Sequence, residues 1–333
     1  MKKVAINGFG RIGRLALRQY CEEKPKEVEI VAANDLVSTE NLAYLLRFDS
    51  VHGRSRYPVI AQGSEIHIGD HRIKMYSEKD PSRLPWKELE VDVVIESTGL
   101  FTKRDQAAKH LDAGTKRVLI SAPSPTADVT IVPGVNDRQF DPAKHHVISL
   151  ASCTTNSLAP PLKVLHDRFG IDHAMVTTVH AYTASQAVVD RPAKKFRRGR
   201  AAAASLIPTT TGAAVATTQV LPELEGRLEA IAIRAPVLDG AITDIVVNLR
   251  KKASIESVNA ELKKAADGPL NGILAYSEEE LVSADILGNP HSGIVDALST
   301  RVVQERVTKV LVWYDNEFGY ARRLLDTIER LPL

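Results

Sequence analysis

Residues 8–13 read Gly8-Phe9-Gly10-Arg11-Ile12-Gly13, a G-x-G-x-x-G spacing. Alone that spacing is weak, because glycines at turns are common. Its surroundings make it constraining. The apolar run Lys3 to Asn7 reads as a strand and ends at Gly8, a helix-compatible segment opens from Ile12, and the acidic Asp35 stands 22 positions past Gly13 at the end of the next apolar run. A strand turning sharply into a helix presents the helix N-terminus, with its free amides and positive dipole end, to an anion. Gly8 permits the tight turn, Gly10 lets the backbone approach a pyrophosphate, and Gly13 lets helix and strand pack closely. Asp35 would accept hydrogen bonds from ribose hydroxyls. Its charge repels a 2′-phosphate and so favours NAD over NADP, although a nearby arginine would offset it.

The rest of the first 150 residues continues the alternation. Val4-Ala5-Ile6, Ile30 to Ala33, Val91 to Ile95, Val118 to Ile120 and Val147 to Leu150 are short apolar runs that fit strands buried on both faces of a parallel sheet. Ile12 to Glu23 and Lys103 to Ala113 read as helices between them. After Thr155 longer alternating runs take over, at Ala174 to His180, Leu228 to Ile233 and Thr243 to Leu249, which fit an antiparallel sheet with one covered face. The expected fold is α/β: a Rossmann-type doubly wound parallel sheet plus an α+β catalytic domain with a mostly antiparallel sheet. The expected domains are 1–150, completed by a C-terminal helix within 317–333, and 151–316. Arg191 to Arg200 carries six Lys/Arg and reads either as a solvated loop or as a binding element.

Composition narrows the function classes. A net charge of +2 gives no electrostatic footprint for nucleic acid or an anionic membrane surface. The N-terminal apolar run is too short for a signal peptide. The uncharged stretch Ala201 to Pro222 holds Pro208, Gly212 and five threonines, so it does not read as a membrane span. Cys21 and Cys153 are the two cysteines. They imply no disulfide framework, no Cys-rich metal site, and a reducing cytoplasm.

Cys21 falls mid-helix and reads as core packing. Cys153, in Leu150-Ala151-Ser152-Cys153-Thr154-Thr155-Asn156, falls where a strand gives way to a helix. Helix-end amides and dipole stabilise thiolate, and an imidazole neighbour would complete the shift from a free thiol that is only a few per cent ionised at neutral pH. His180 is the best candidate. The residues by themselves leave a satisfied buried thiol and a nucleophile both open.

These segments resemble the phosphorylating glyceraldehyde-3-phosphate dehydrogenase family. The likeness runs through Ala5 to Arg14, Asn34-Asp35-Leu36, Ser97-Thr98-Gly99, Ala151 to Asn156, Pro208 to Ala214 and Trp313 to Glu317. By that resemblance Cys153 is the nucleophile and His180 its base. Asn7, Gly8, Gly10, Arg11, Ile12, Gly13, Asp35, Thr98 and Ser121 hold the cofactor, with Asn316 on the nicotinamide carboxamide and Tyr320 against its ring. Thr183 and Arg234, with Arg198 nearby, take the substrate's phosphate. Ser152, Thr154, Thr211 and Gly212 take inorganic phosphate. The implied reaction converts D-glyceraldehyde 3-phosphate to 1,3-bisphosphoglycerate with NAD in a cytoplasmic homotetramer, without metal, membrane or nucleic acid. Tyr182 to Ile207 matches an S-shaped loop beside a neighbouring subunit's cofactor. The alternative is an erythrose-4-phosphate dehydrogenase, which hydrolyses its thioester. Three departures stand out: Ser185 in place of Asp or Thr, Arg191 where NAD-specific members have leucine, and the stretch after Arg234. Arg191 admits some NADP use.

Overall fold

The computed structural model describes all 333 residues, which divide into two compact units. Met1–Ile131, Asp137–Ala151 and Ala321–Leu333 form the first; Val132–Asn136 and Ser152–Tyr320 form the second.

In the first unit the strands are β1 (Lys2–Asn7), β2 (Val28–Asn34), β3 (Phe48–Asp49), β4 (Gly53–Arg54), β5 (Val59–Gln62), β6 (Glu65–Ile68) and β7 (His71–Tyr76). They continue as β8 (Val93–Glu96), β9 (Arg117–Ile120), β10 (Val129–Thr130) and β11 (Val147–Ser149). The helices are α1 (Arg11–Glu23), α2 (Thr39–Arg47), α3 (Arg104–Ala107) and α4 (Lys109–Asp112). Nine strands make one sheet in the order β10-β11-β9-β8-β1-β2-β7-β6-β5. Pairings from β10 through β7 are parallel, and β6 and β5 extend the edge as an antiparallel hairpin. Val4 to Ile6, Val93 to Ile95 and Val118 to Ile120 are fully buried, as strands covered on both faces require. The direction of winding reverses between β1 and β8. Such a switch point leaves a crevice at the carboxyl ends of two adjacent strands that no crossover covers.

Two features differ from the sequence reading. The hairpin β5–β7 and α2 were not among the expected elements, and Lys103 to Ala113 is two short helices that meet at Ala108. After that break His110 is completely buried, its ring accepting from Trp86 Nε1 at 2.9 Å and donating to Glu96 at 3.1 Å. Glu96, buried at the end of β8, also accepts from Asn7 Nδ2 at 2.6 Å and from the Thr98 amide at 2.9 Å. A buried carboxylate is tolerable when donors surround it in this way. Here those donors tie together both strand ends that border the crevice.

The second unit holds α5 (Cys153–Phe169), β12 (Ile171–Ala181), β13 (Ile207–Thr210), α6 (Ala213–Val220), β14 (Leu228–Ala235), β15 (Ala241–Leu249), α7 (Ile255–Asp267), β16 (Leu274–Ser277), β17 (Gly293–Val303) and β18 (Val307–Tyr314). The closing helix, α8 (Phe318–Arg330), begins in this unit and ends in the first. The seven strands pair in the order β13-β14-β12-β15-β18-β17-β16. Only β12/β14 and β16/β17 are parallel. Burial alternates along β15, with Ala241, Thr243, Ile245, Val247 and Leu249 inward, so the period-2 pattern reports one covered face. The parallel register sets His180 of β12 beside Arg234 of β14.

Gly8 has φ +93°, and a Cβ there would lie 2.4 Å from the Thr98 amide nitrogen. Nothing lies within 4 Å of a Cβ built on Gly10. Gly8→Ala is expected to cost roughly 3 kcal/mol in urea denaturation. Gly10→Ala should leave stability nearly unchanged while weakening NAD binding in calorimetric titration.

Candidate active site

The crevice at the β1/β8 switch point is a cavity of about 500 Å³. Of the residues expected to hold a dinucleotide, Asn7, Gly8, Gly10, Asp35 and Thr98 line it. Asp35 is fixed at its edge, Oδ2 accepting from the Phe9 amide at 2.8 Å and Oδ1 from the Val37 amide at 3.1 Å. Gly13 sits behind the wall, where a Cβ would approach the Gly8 carbonyl oxygen to 2.4 Å. Ile12 lies in the first turn of α1, and Arg11 spends its guanidinium on Asp49, whose carboxyl it holds down at about 2 against the opposing effect of burial. The part left for Arg11 is its place at the helix N-terminus. Ser121 follows β9, its amide donating to the Glu96 carbonyl, and does not line the cavity.

Sequence reading missed Leu36, Lys79 and Phe101 in this wall. Leu36 adjoins Asp35 and could have been inferred from it. Lys79 and Phe101 come from loops with no motif. The donor set suits a dinucleotide: a glycine cradle open where a Cβ would intrude, and a carboxylate for ribose hydroxyls. In the second unit, Asn316 has its amide on Asp239 at 3.1 Å and its Oδ1 buried without a hydrogen-bond partner, a fitting acceptor for a carboxamide. Tyr320 is buried nearby in sequence.

Cys153 is the first residue of α5. The chain reaches it through Ala151, a non-glycine residue at φ +53°, and Ser152, whose hydroxyl caps the helix by accepting from the Thr155 amide at 3.1 Å. The cap leaves the Thr154 amide free to point at the sulfur, which it does. His180, one residue from the end of β12, places Nε2 3.5 Å from Cys153 Sγ. Sequence reading passed over two residues here, of which Tyr314 holds this pair. Tyr314 bridges Thr154 Oγ1 at 3.0 Å and Thr178 Oγ1 at 2.8 Å and packs edge-on to the His180 ring. Asp239, buried, braces the Asn316 and Gly240 amides. Tyr314 lies inside the Trp313 to Glu317 motif and was therefore discoverable; Asp239 lies in the departing stretch and was not.

At the thiol, burial and charge pull in opposite directions. Burial pushes the Cys153 thiol up to about 11, outweighing Arg234 and the Thr154 donors. Burial, then Arg234, pushes His180 down to about 4. Desolvation thus opposes the helix end, drawing the thiol up and the imidazole down. Cys21 is core, as expected, with its thiol pushed up to about 12 by burial.

The expected anion ligands fall into two groups. Arg234 Nη1 lies 2.6 Å from His180 Nδ1 and donates to the Ala181 carbonyl at 2.8 Å. Thr183 bonds Ser185 at 2.9 Å, the hydroxyl expected to survive the Asp/Thr replacement. Arg198 instead reaches Thr209 Oγ1 at 2.9 Å and the Thr210 carbonyl at 3.1 Å, beside Thr211 and Gly212, which open α6. Thr154 Oγ1 is hydrogen-bonded with the Tyr314 hydroxyl, whereas Ser152 stays at the cap.

Residues 2–104 match the family model described as glyceraldehyde 3-phosphate dehydrogenase, NAD binding domain, and 152–316 match that of its C-terminal domain. The chain belongs to the glyceraldehyde-3-phosphate dehydrogenase family. A glyceraldehyde-3-phosphate dehydrogenase of Geobacillus stearothermophilus is 54% identical over 97% of this chain and 96% of its own length. That of Priestia megaterium is 52% identical over the same shares, and that of Thermotoga maritima 51% over 99% of both. The chain is thus an NAD-binding oxidoreductase. No helix is long and apolar enough to cross a membrane.

Neutral His180 also makes a stability statement. Its folded pKa, about 4, lies below the ordinary 6.5, so between those values the unfolded chain binds a proton that the folded chain does not. Stability present above pH 6.5 is lost as pH falls toward 4, by about 3 kcal/mol. Urea midpoints measured across that window should fall less steeply in His180→Asn than in the wild type.

Proposed function

We propose that the chain oxidises D-glyceraldehyde 3-phosphate with NAD and inorganic phosphate to 1,3-bisphosphoglycerate, through an acyl intermediate on Cys153. The observation that carries this reading is the 3.5 Å approach of Cys153 Sγ to His180 Nε2, with Arg234 alongside. His180 takes the thiol proton as the sulfur adds to the aldehyde carbon and passes it to the new oxyanion, giving a hemithioacetal. NAD, when bound, supplies the hydride acceptor. As hydride leaves the same carbon the hydroxyl proton returns to His180, and the thioester that remains conserves the oxidation energy. A phosphate oxygen then attacks the acyl carbon, the C–S bond breaks, and the sulfur leaves as thiolate. Sulfur suits this cycle because an oxygen ester would pass its acyl group to phosphate less readily.

Arg234 and Thr183 are assigned to the substrate's phosphate. Thr211, Gly212 and Ser152 are assigned to the attacking phosphate. Arg198, through its contacts with Thr209 and Thr210, fits the second group better than the first. The first unit is assigned to the cofactor and the second to chemistry.

A homotetramer in the cytoplasm completes the proposal. Its support is the segment from Tyr182 to Ile207, where Val188, Phe196 and Leu206 are more than two-thirds exposed. A purely solvated cationic loop has no use for such side chains. The loop is also braced, by Arg191 to Gly199 backbone pairing and an Asp190–Arg200 ion pair. Arg191 itself is exposed and assigned to partial tolerance of a 2′-phosphate across the subunit interface.

Steady-state kinetics with NAD and NADP, each with and without phosphate, test the whole reading. Turnover of glyceraldehyde 3-phosphate should depend on added phosphate, and Arg191→Leu should lose most of the NADP rate while keeping the NAD rate. Turnover indifferent to phosphate would favour the hydrolytic erythrose-4-phosphate alternative.

A further inference from the structure

Glu96 is the meeting point of two hydrogen-bond chains whose direction is fixed from their far ends. On one side Trp86 Nε1, which can only donate, lies 2.9 Å from His110 Nδ1. That nitrogen must hold a lone pair, so the ring carries its proton on Nε2 and donates it to Glu96 Oε2 at 3.1 Å. On the other side the Glu78 amide donates to Asn34 Oδ1 at 2.8 Å, and Asn34 Nδ2 donates to Asn7 Oδ1 at 2.7 Å. Asn7 Nδ2 then donates to Glu96 Oε2 at 2.6 Å. A backbone N–H begins this chain and a carboxylate ends it, so neither amide can turn over without setting like against like. Trp86, His110, Glu96, Asn7 and Asn34 are all buried, where no water relieves a mismatched pair.

The second carboxylate oxygen serves the crevice wall. Glu96 Oε1 accepts from the Thr98 amide at 2.9 Å and from the Thr98 hydroxyl. The Leu100 amide takes one lone pair of that hydroxyl at 3.0 Å. Thr98, which lines the cavity, is left with its proton spent and one lone pair open.

We propose that the Trp86–His110–Glu96 chain is a positioning device that makes Thr98 an acceptor in the dinucleotide crevice. A ligand atom that meets the Thr98 hydroxyl must bring a proton. A sugar hydroxyl or an adenine amine does so, and a phosphate oxygen does not. The crevice is divided by polarity: the amides at the start of α1 serve the pyrophosphate, and the end of β8 serves the nucleoside. Trp86, His110 and Glu96 do not line the cavity; they act on the cofactor through Thr98 and Asn7. The device requires NAD in the crevice and none of the covalent chemistry assigned to Cys153, whose failure would leave it standing.

The test is calorimetric titration of the full-length chain with NAD. Glu96→Gln keeps the shape of the side chain and replaces one acceptor oxygen by an amide nitrogen. Of the four donors around that side chain only the Thr98 hydroxyl can reverse, so the nitrogen turns to Thr98 and the hydroxyl proton turns out into the crevice. A hydrogen bond to a charged group is worth roughly ten-fold or more, and Glu96→Gln should weaken NAD binding by about that factor. Thr98→Val should cost roughly five-fold in the otherwise unmutated chain and about two-fold or less beside Glu96→Gln, where the hydroxyl no longer accepts. A merely structural Glu96 would leave the cost of Thr98→Val the same in both backgrounds. Nitrogen-15 shifts of the His110 ring, assigned by through-bond correlation in the unmutated protein at neutral pH, should place the proton on Nε2; this readout needs no variant to fold. A proton on Nδ1 overturns the device. So does NAD binding by Glu96→Gln at unmutated strength, or an equal cost of Thr98→Val in the two backgrounds.

Discussion

The proposed chemistry rests on a sulfur and an imidazole nitrogen 3.5 Å apart, contributed by elements that have no local reason to meet. Cys153 is carried to the start of α5 by a left-handed residue, Ala151, and a serine cap. His180 arrives on β12, which the sheet places between β14 and β15. Tyr314 joins the two by holding a threonine of each. Each device is worth about 1 kcal/mol or a little more, and Ala151 costs about as much. The pair is held by the agreement of several small terms, and no single one dominates.

Their proximity comes with a desolvation cost. A helix N-terminus and a nearby guanidinium both favour thiolate, but removal of water favours the neutral forms. Burial therefore works against both the helix end and the guanidinium at the thiol, while at the imidazole burial and Arg234 act in the same direction.

Much of this was legible beforehand where a physical requirement leaves few residue choices. Gly8 and Gly13 are demanded by backbone atoms that a Cβ would strike, so the turn, the first helix and the cofactor crevice could be read directly. The buried runs of the parallel sheet and the alternation of β12 and β15 were equally plain. The hairpin β5–β7 was not, because its strands are short and half-polar and read as loop. Lys103 to Ala113 looked like one helix because propensity is continuous there, and only the inward turn of His110 breaks it. At the site, residue types identified Cys153 and His180 as candidates, and the family resemblance chose between nucleophile and inert thiol. The bond of Arg198 to Thr209 could not be read beforehand, since loop closure is set by long-range pairing that one sequence does not display.

The most direct test of the covalent claim is to look for the acyl group itself. Rapid mixing of the protein with NAD and glyceraldehyde 3-phosphate in phosphate-free buffer, quenched in acid and read by peptide mass spectrometry, should find a 3-phosphoglyceryl adduct on Cys153 at close to one per chain. Added phosphate should discharge it. Formation of NADH in the first turnover with Cys153 unmodified, or with the adduct on another residue, would contradict the account.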